Sequence, residues 1–265
     1  RAAHSSSSTF LHYRTSMATP RSPLALACLC LWPLAAWSLT VKSADKCQCL
    51  EWADVYSKHK VVCGMGMELA HSFGNYLPEL NLMLRHADER VKQLKSKGRV
   101  YKQFCDSFFL KFHANYCVNE RYMMQQDDIG KPASGSWCYV SASCRREGLE
   151  VEQLPGRDVA VKRCREGEDQ SLMNLPIAEA VKLAWDQRLD LGIVSEHAYV
   201  YKPMLVKNLT PEIMSEVAAT GNATLIWSIR DWFGDRLVVK GQQIWVHKMD
   251  QTSRIWGAGC VQGCA

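Results

Sequence analysis

Several kinds of chemistry have no motif in this chain. It holds no G-x-G-x-x-G, no P-loop, no H-E-x-x-H and no EF-hand loop, so nucleotide, zinc-protease and calcium readings have nothing to start from. The G-x-S-x-G elbow of serine hydrolases is missing too. Beyond residue 40 no apolar run approaches the roughly 20 residues that a membrane-spanning helix needs. Charge of one sign is equally scarce: of the formal +5, Arg1, Arg14 and Arg21 carry three, and the remainder holds 29 basic against 27 acidic residues. A surface this balanced does not suit nucleic acid. The sequence calls for no cofactor.

Cysteine, by contrast, is abundant. Twelve occur in 265 residues, in a chain of globular composition with 47% hydrophobic and 22% charged residues. Residues 1–16, with the serine run Ser5–Ser8, read as a non-native segment upstream of a start at Met17. Residues 17–38 then have the form of a secretory signal peptide. Arg21 supplies the charged start, Leu24 to Trp37 the apolar stretch, and Ala35, Ala36 and Ser38 the small residues of a cleavage site. The expected protein is secreted or held in a secretory lumen, with no membrane span once the leader is removed.

Cys28 and Cys30 leave with that leader. Ten cysteines remain, namely Cys47, Cys49, Cys63, Cys105, Cys117, Cys138, Cys144, Cys164, Cys260 and Cys264. An even number in an oxidising compartment implies disulfides, with the connectivity open. The close pairs Cys47/Cys49 and Cys260/Cys264 also raise a zinc reading. Only the second has the usual ligand spacing, and thiolates would have to survive export, so no metal is expected. A local bridge from Cys260 to Cys264 would clip the tail.

The expected fold class is α+β. A disulfide-rich domain over 39–165 would carry two helices and short strands. An α+β domain over 166–265 would carry helices and a three-stranded antiparallel meander. The apolar period Leu80, Leu84, Ala87, Val91 and Leu94 predicts one helix between Pro78 and Gly98, with Arg85, Lys92 and Lys95 on its polar face. That basic face is either solvated or a contact for anionic glycan or membrane. Tyr101, Phe104, Cys105, Phe108, Phe109 and Phe112 predict a second helix with Cys105 on the apolar side and His113 at its end. Asp127 to Gly135 marks a loop, and Trp137–Val140 and Val159–Lys162 read as strands.

Gly135-Ser136-Trp137-Cys138-Tyr139-Val140, with Cys144 beyond, resembles the Trp-Cys motif of kringle and fibronectin type II modules. The resemblance implies a small extracellular disulfide domain that binds protein ligands. It covers about ten residues and carries over no ligand-binding position. The same segment is similar to stretches in uncharacterised cysteine-rich secreted proteins of unicellular algae.

Past a charged linker at Arg165–Gln170, Pro176–Leu189 predicts a helix with Ile177, Ala180, Val181, Ala184 and Trp185 inward. Leu191–Tyr201 is too uniformly apolar for periodicity to assign. Thr210-Pro211-Glu212 is a helix start and Gly221 its stop. The meander runs Leu225/Trp227/Ile229, then Arg236–Val239, then Gln243–Lys248, turning at Lys240-Gly241. Asn208 and Asn222 head glycosylation sequons, and Asn222 at a turn is the better placed.

Trp227 and Trp245 are expected behind the meander, whereas Trp232 and Phe233, in a turn, are the candidate exposed contacts for a glycan or protein partner. A cysteine nucleophile would need one thiol left over from pairing, which the even count opposes, with His59, His71, His86, His113, His197 or His247 as its base, while Asp127-Asp128 or Glu168-Asp169 are the carboxylates for glycoside hydrolysis. The expected function is an extracellular binding or structural module without catalysis, and the alternative is a secreted hydrolase.

Overall fold

The computed structural model describes residues 45–69, 98, 101–120, 135–228, 234–250, 252–253 and 255–264. The helix expected between Pro78 and Gly98 lies outside these, Gly98 apart, as do Asp127, Asp128, His71, His86, Trp232 and Phe233. The described residues belong to one compact unit, Ser43–Ala265. Its main core draws side chains from both sides of Arg165. Among the described residues no helix is long and apolar enough to cross a membrane.

α1 (Trp52–Lys58) buries Trp52, Ala53 and Val55 and closes its outer face with a Lys58–Asp54 pair at 2.7 Å. Its free N-terminal N–H groups find partners outside the helix, because Trp52 N donates to Ala114 O at 3.1 Å and Ala53 N to Phe112 O at 3.1 Å. The second expected helix is replaced by a π-helical turn over Lys102–Asp106 and a 3₁₀ turn over Phe109–Lys111. Phe104, Phe108, Phe109 and Phe112 are all buried as their spacing predicts, although the backbone that carries them is not a regular α-helix. Cys105 does face inward, and it bridges to Cys63.

Strands β1 (Val118–Asn119), β2 (Ser136–Ser141), β3 (Val151–Gln153) and β4 (Val159–Arg163) form an antiparallel sheet in the order β1-β2-β4-β3. Both strands expected in this half are present. β2 is central and buried from Trp137 to Val140, with Trp137 edge-on to Trp52 at 4.8 Å between ring centroids. Four bridges tie this half together, Cys47–Cys144, Cys49–Cys138, Cys63–Cys105 and Cys117–Cys164.

α2 (Ile177–Asp186) buries Ile177, Ala180, Val181 and Ala184 as its spacing predicts. Trp185 corrects the expectation: one position past the end of that stripe, it stands 52% exposed. α3 (Leu191–Ala198) follows, capped by the Asp190 carboxylate accepting from Ile193 N at 3.1 Å. Every residue of α3 is buried, which is why its sequence shows no polar face.

β5 (Val200–Pro203) runs parallel to β6 (Thr224–Trp227), and α4 (Pro211–Ala219) makes the crossover that a parallel pair requires. The Thr210 hydroxyl caps α4, accepting from Ile213 N at 3.4 Å. β7 (Arg236–Lys240), β8 (Gln243–Met249) and β9 (Trp256–Gln262) complete a sheet ordered β5-β6-β7-β8-β9. The meander β6-β7-β8 is antiparallel, turning at Gly241 with φ +55°. It is part of a larger sheet, since β5 and β9 flank it. Trp227 is buried and Trp245 half-buried.

Candidate functional site

Polar chemistry gathers inside the fold, between α3 and the five-stranded sheet. Ser195, Glu196 and His197 are consecutive on α3 and face partners on different elements. Arg236 of β7 donates from Nη1 to Glu196 Oε1 at 2.7 Å and to Gly192 O at 2.9 Å. Its guanidinium lies over Trp227, 4.0 Å from the ring centroid, and over Trp256 at 4.5 Å. Gly192 allows this approach, because a Cβ there would stand 2.8 Å from both Arg236 Nη1 and the Trp256 ring. Both members of the ion pair are almost fully removed from solvent.

Burial governs the protonation of these groups. It pushes the Glu196 carboxyl up to about 7, more than the adjacent Arg236 charge can hold it down. It drives His247 down to about 3, with Arg236 adding repulsion, and His197 down to about 4. His197 donates from Nδ1 to Ile193 O at 3.0 Å and stacks on Phe108 at 5.1 Å. It is a neutral core histidine.

Ser195 and His247 make the contact that a hydrolase would use, with Oγ and Nδ1 2.9 Å apart. Their hydrogen-bond polarity is wrong for a nucleophile and its base. Ser195 Oγ also lies 2.7 Å from Leu191 O, and a hydroxyl has one proton to give. Both contacts are hydrogen bonds only if Ser195 donates to Leu191 O and the His247 Nδ1–H donates to Ser195. The imidazole then supplies a proton instead of taking one. Neither side chain reaches solvent.

The four-stranded sheet carries a second concentration of reactive atoms. Cys49–Cys138 and Cys117–Cys164 lie side by side, with Cys49 Sγ 3.5 Å from Cys117 Sγ and all four sulfurs within 4.8 Å of one another. Both sulfurs at the close contact are bridged and carry no hydrogen, so this is packing. A metal would need thiolates, and all ten of these cysteines are in bridges. Cys47 and Cys49 go to different bridges, and Cys260–Cys264 is the local clip that its spacing predicts.

A polar groove opens beside the cluster, lined by Asp45, Cys47, Cys49, Arg146, Glu168 and Asp169, among others. Its charges are paired. Arg146 reaches Asp45 at 2.6 Å and Glu168 at 3.6 Å, while buried Lys162 donates to Cys47 O at 2.8 Å and Asp169 Oδ1 at 2.6 Å. Glu168-Asp169 is therefore an anchoring pair, and Asp169 is held by the one amine of β4 that points inward.

The remaining expected residues are dispersed. His59 meets Asp158 at 2.9 Å and His113 meets Glu51 at 2.9 Å, each a separate surface pair. Asn208 ends a 3₁₀ turn over Val206–Asn208, Asn222 follows α4, and both are exposed. The sequence reading did not single out Ser195, Glu196, Arg236, Lys162 or Glu68. Glu68 is buried and accepts from Tyr139 Oη at 2.6 Å and Tyr56 Oη at 2.9 Å, and burial raises its pKa. Lys162 and Arg236 each adjoin a strand's apolar run, but each also has a charged neighbour, Arg163 or Asp235, and nothing in the local sequence marks which charge is buried. Set against known proteins, the chain matches no family model, no curated sequence and no solved structure.

Proposed function

We propose that this chain is exported and acts outside the cytosol as a disulfide-braced binding or structural module, without catalysis, toward a protein or glycan. The observation that carries the reading is the complete use of ten cysteines in five bridges, a state that belongs to oxidising compartments. The Leu24–Trp37 run before the first bridge and the kringle-like Trp137-Cys138 segment support it. The asparagines of both sequons are exposed, although Ala223 and Thr224 behind Asn222 are buried, so glycan addition at Asn222, and at Asn208 where Pro211 permits, fits the same route. Trp185 joins Trp232 and Phe233 as a candidate contact residue, because it is a large aromatic left facing water.

Expression of the full chain in a secretory host tests this reading. The expected product is in the medium, starts near Leu39, has no titratable thiol and loses mass with an N-glycosidase. Cytosolic retention with ten free thiols would end it. On a glycan array Trp185→Ala is expected to weaken retention, and unchanged retention removes that residue from the proposal. The hydrolase reading keeps only the Ser195–His247 contact in its favour. Labelling of Ser195 by a fluorophosphonate probe would restore it.

A further inference from the structure

We propose that the four clustered sulfurs form an internal thiol–disulfide exchange centre, in which Cys49–Cys138 and Cys117–Cys164 trade partners once a small thiol reaches Cys164. The proposal uses the bridges alone and is independent of what the module binds. Three observations carry it. The sulfurs of two separate bridges touch at 3.5 Å, all four lie within 4.8 Å, and no other bridge among the described residues belongs to such a group. The cluster also has one accessible end, since Cys164 is half-buried while Cys117 and Cys138 are fully enclosed and Cys49 is 8% exposed. Exchange proceeds by thiolate attack on a neighbouring disulfide sulfur, so contact distance and access decide which bridges can take part.

The steps balance. An external thiolate attacks Cys164 Sγ, the Cys117–Cys164 bond breaks, a mixed disulfide forms at Cys164, and the electron pair leaves on Cys117. The Cys117 thiolate, already against Cys49 Sγ, forms Cys49–Cys117 and expels Cys138 as thiolate. Cys138 then attacks Cys164, forms Cys138–Cys164 and returns the external thiolate. Three sulfur–sulfur bonds break and three form, nothing is oxidised or reduced overall, and the thiol acts as a catalyst. The centre thus offers two pairings of one four-sulfur site, tying Cys49 either to β2 or to the residue just before β1.

The test uses the oxidised wild-type protein with reduced glutathione as the probe, quenched in acid, alkylated and digested without reduction for mass spectrometry. Peptides linked Cys49–Cys117 and Cys138–Cys164 are expected to rise together in equal amounts, while Cys47–Cys144 and Cys63–Cys105 stay native. Native links alone, at glutathione levels that already open the Cys260–Cys264 clip with its exposed Cys264, would overturn the proposal. So would general scrambling that draws in Cys47 and Cys63, because that marks unfolding. In Cys164→Ser, the unpaired thiol is expected on both Cys117 and Cys138, and label confined to Cys117 would likewise overturn it. If that variant does not fold, the wild-type experiment still decides.

Discussion

Replacing Arg236 with Met tests whether the buried ion pair is organised as its geometry indicates. The guanidinium is held by Glu196 Oε1, Gly192 O and the faces of Trp227 and Trp256. Methionine keeps much of the volume and can contact the rings, but it leaves Glu196 buried without a counter-charge. At pH 5 the Glu196 carboxyl, with a pKa near 7, is protonated in both proteins. There the cost is the lost charged hydrogen bonds and ring contacts, about 2 kcal/mol.

At higher pH the variant should fare worse. A carboxyl whose folded pKa lies above its unfolded value stabilises the fold at low pH, and that contribution is lost as pH rises through the folded pKa. In the wild type the loss falls between 4.5 and about 7. Without Arg236 the folded pKa climbs further, so stability keeps falling above pH 7 by about 1.4 kcal/mol for each added unit. The total penalty should reach about 3–5 kcal/mol, the cost of orphaning one member of a buried pair. Urea unfolding followed by tryptophan fluorescence at pH 5 and pH 8.5 measures it, and Glu196→Gln in the Arg236→Met background should remove the fall in stability above pH 7. A penalty equal at the two pH values would refute the assignment of Glu196 as a desolvated, titrating partner.

Acid behaviour gives a second test. His247 and His197, held down to about 3 and about 4, destabilise the fold as pH falls below 6.5, while Glu196 and Glu120, both pushed up to about 7, stabilise it as pH falls toward 4.5. Glu68, whose pKa burial also raises, adds to the carboxyl side, so stability should not fall from 6.5 to 4.5 and should fall below 4.5, where the histidine loss is no longer offset, as urea midpoints across that range would show. Gly66→Ala should cost about 1–3 kcal/mol, because its Cβ would collide with the Tyr139 hydroxyl and drive it off Glu68. Gly98→Ala, with nothing within 4 Å, should show no such loss in the same urea assay. Replacing both Cys63 and Cys105 with Ser opens a span of 42 residues and should cost about 4 kcal/mol on the loop-entropy model, against about 2 kcal/mol for the four-residue Cys260–Cys264 clip. Calorimetry of the two double variants distinguishes them.

Much of the local structure was legible in the sequence because it depends on neighbours a few residues apart. The Thr210 cap, the Lys240-Gly241 turn, the inward stripe of α2 and the β2 and β4 strands all follow from spacing, turn residues and caps. So does the tail clip, whose partners are four residues apart. Cysteine number and parity implied bridges, but pairing depends on which strands meet, and only the folded chain puts Cys49 beside both Cys138 and Cys117.

Tertiary structure alone decided the rest. Phe104, Phe108, Phe109 and Phe112 are buried as their helical spacing predicts, yet the backbone that carries them folds as a π-helical and a 3₁₀ turn, which that spacing does not signal. α3 gave no readable period because it is enclosed on every side, and the same enclosure hid its polar residues within an apolar run. Ser195, Glu196, Arg236 and His247 are separated by up to 52 positions. They become one site only when α3 packs across β7 and β8, since burial and pairing are properties of elements brought together and leave no trace in local order.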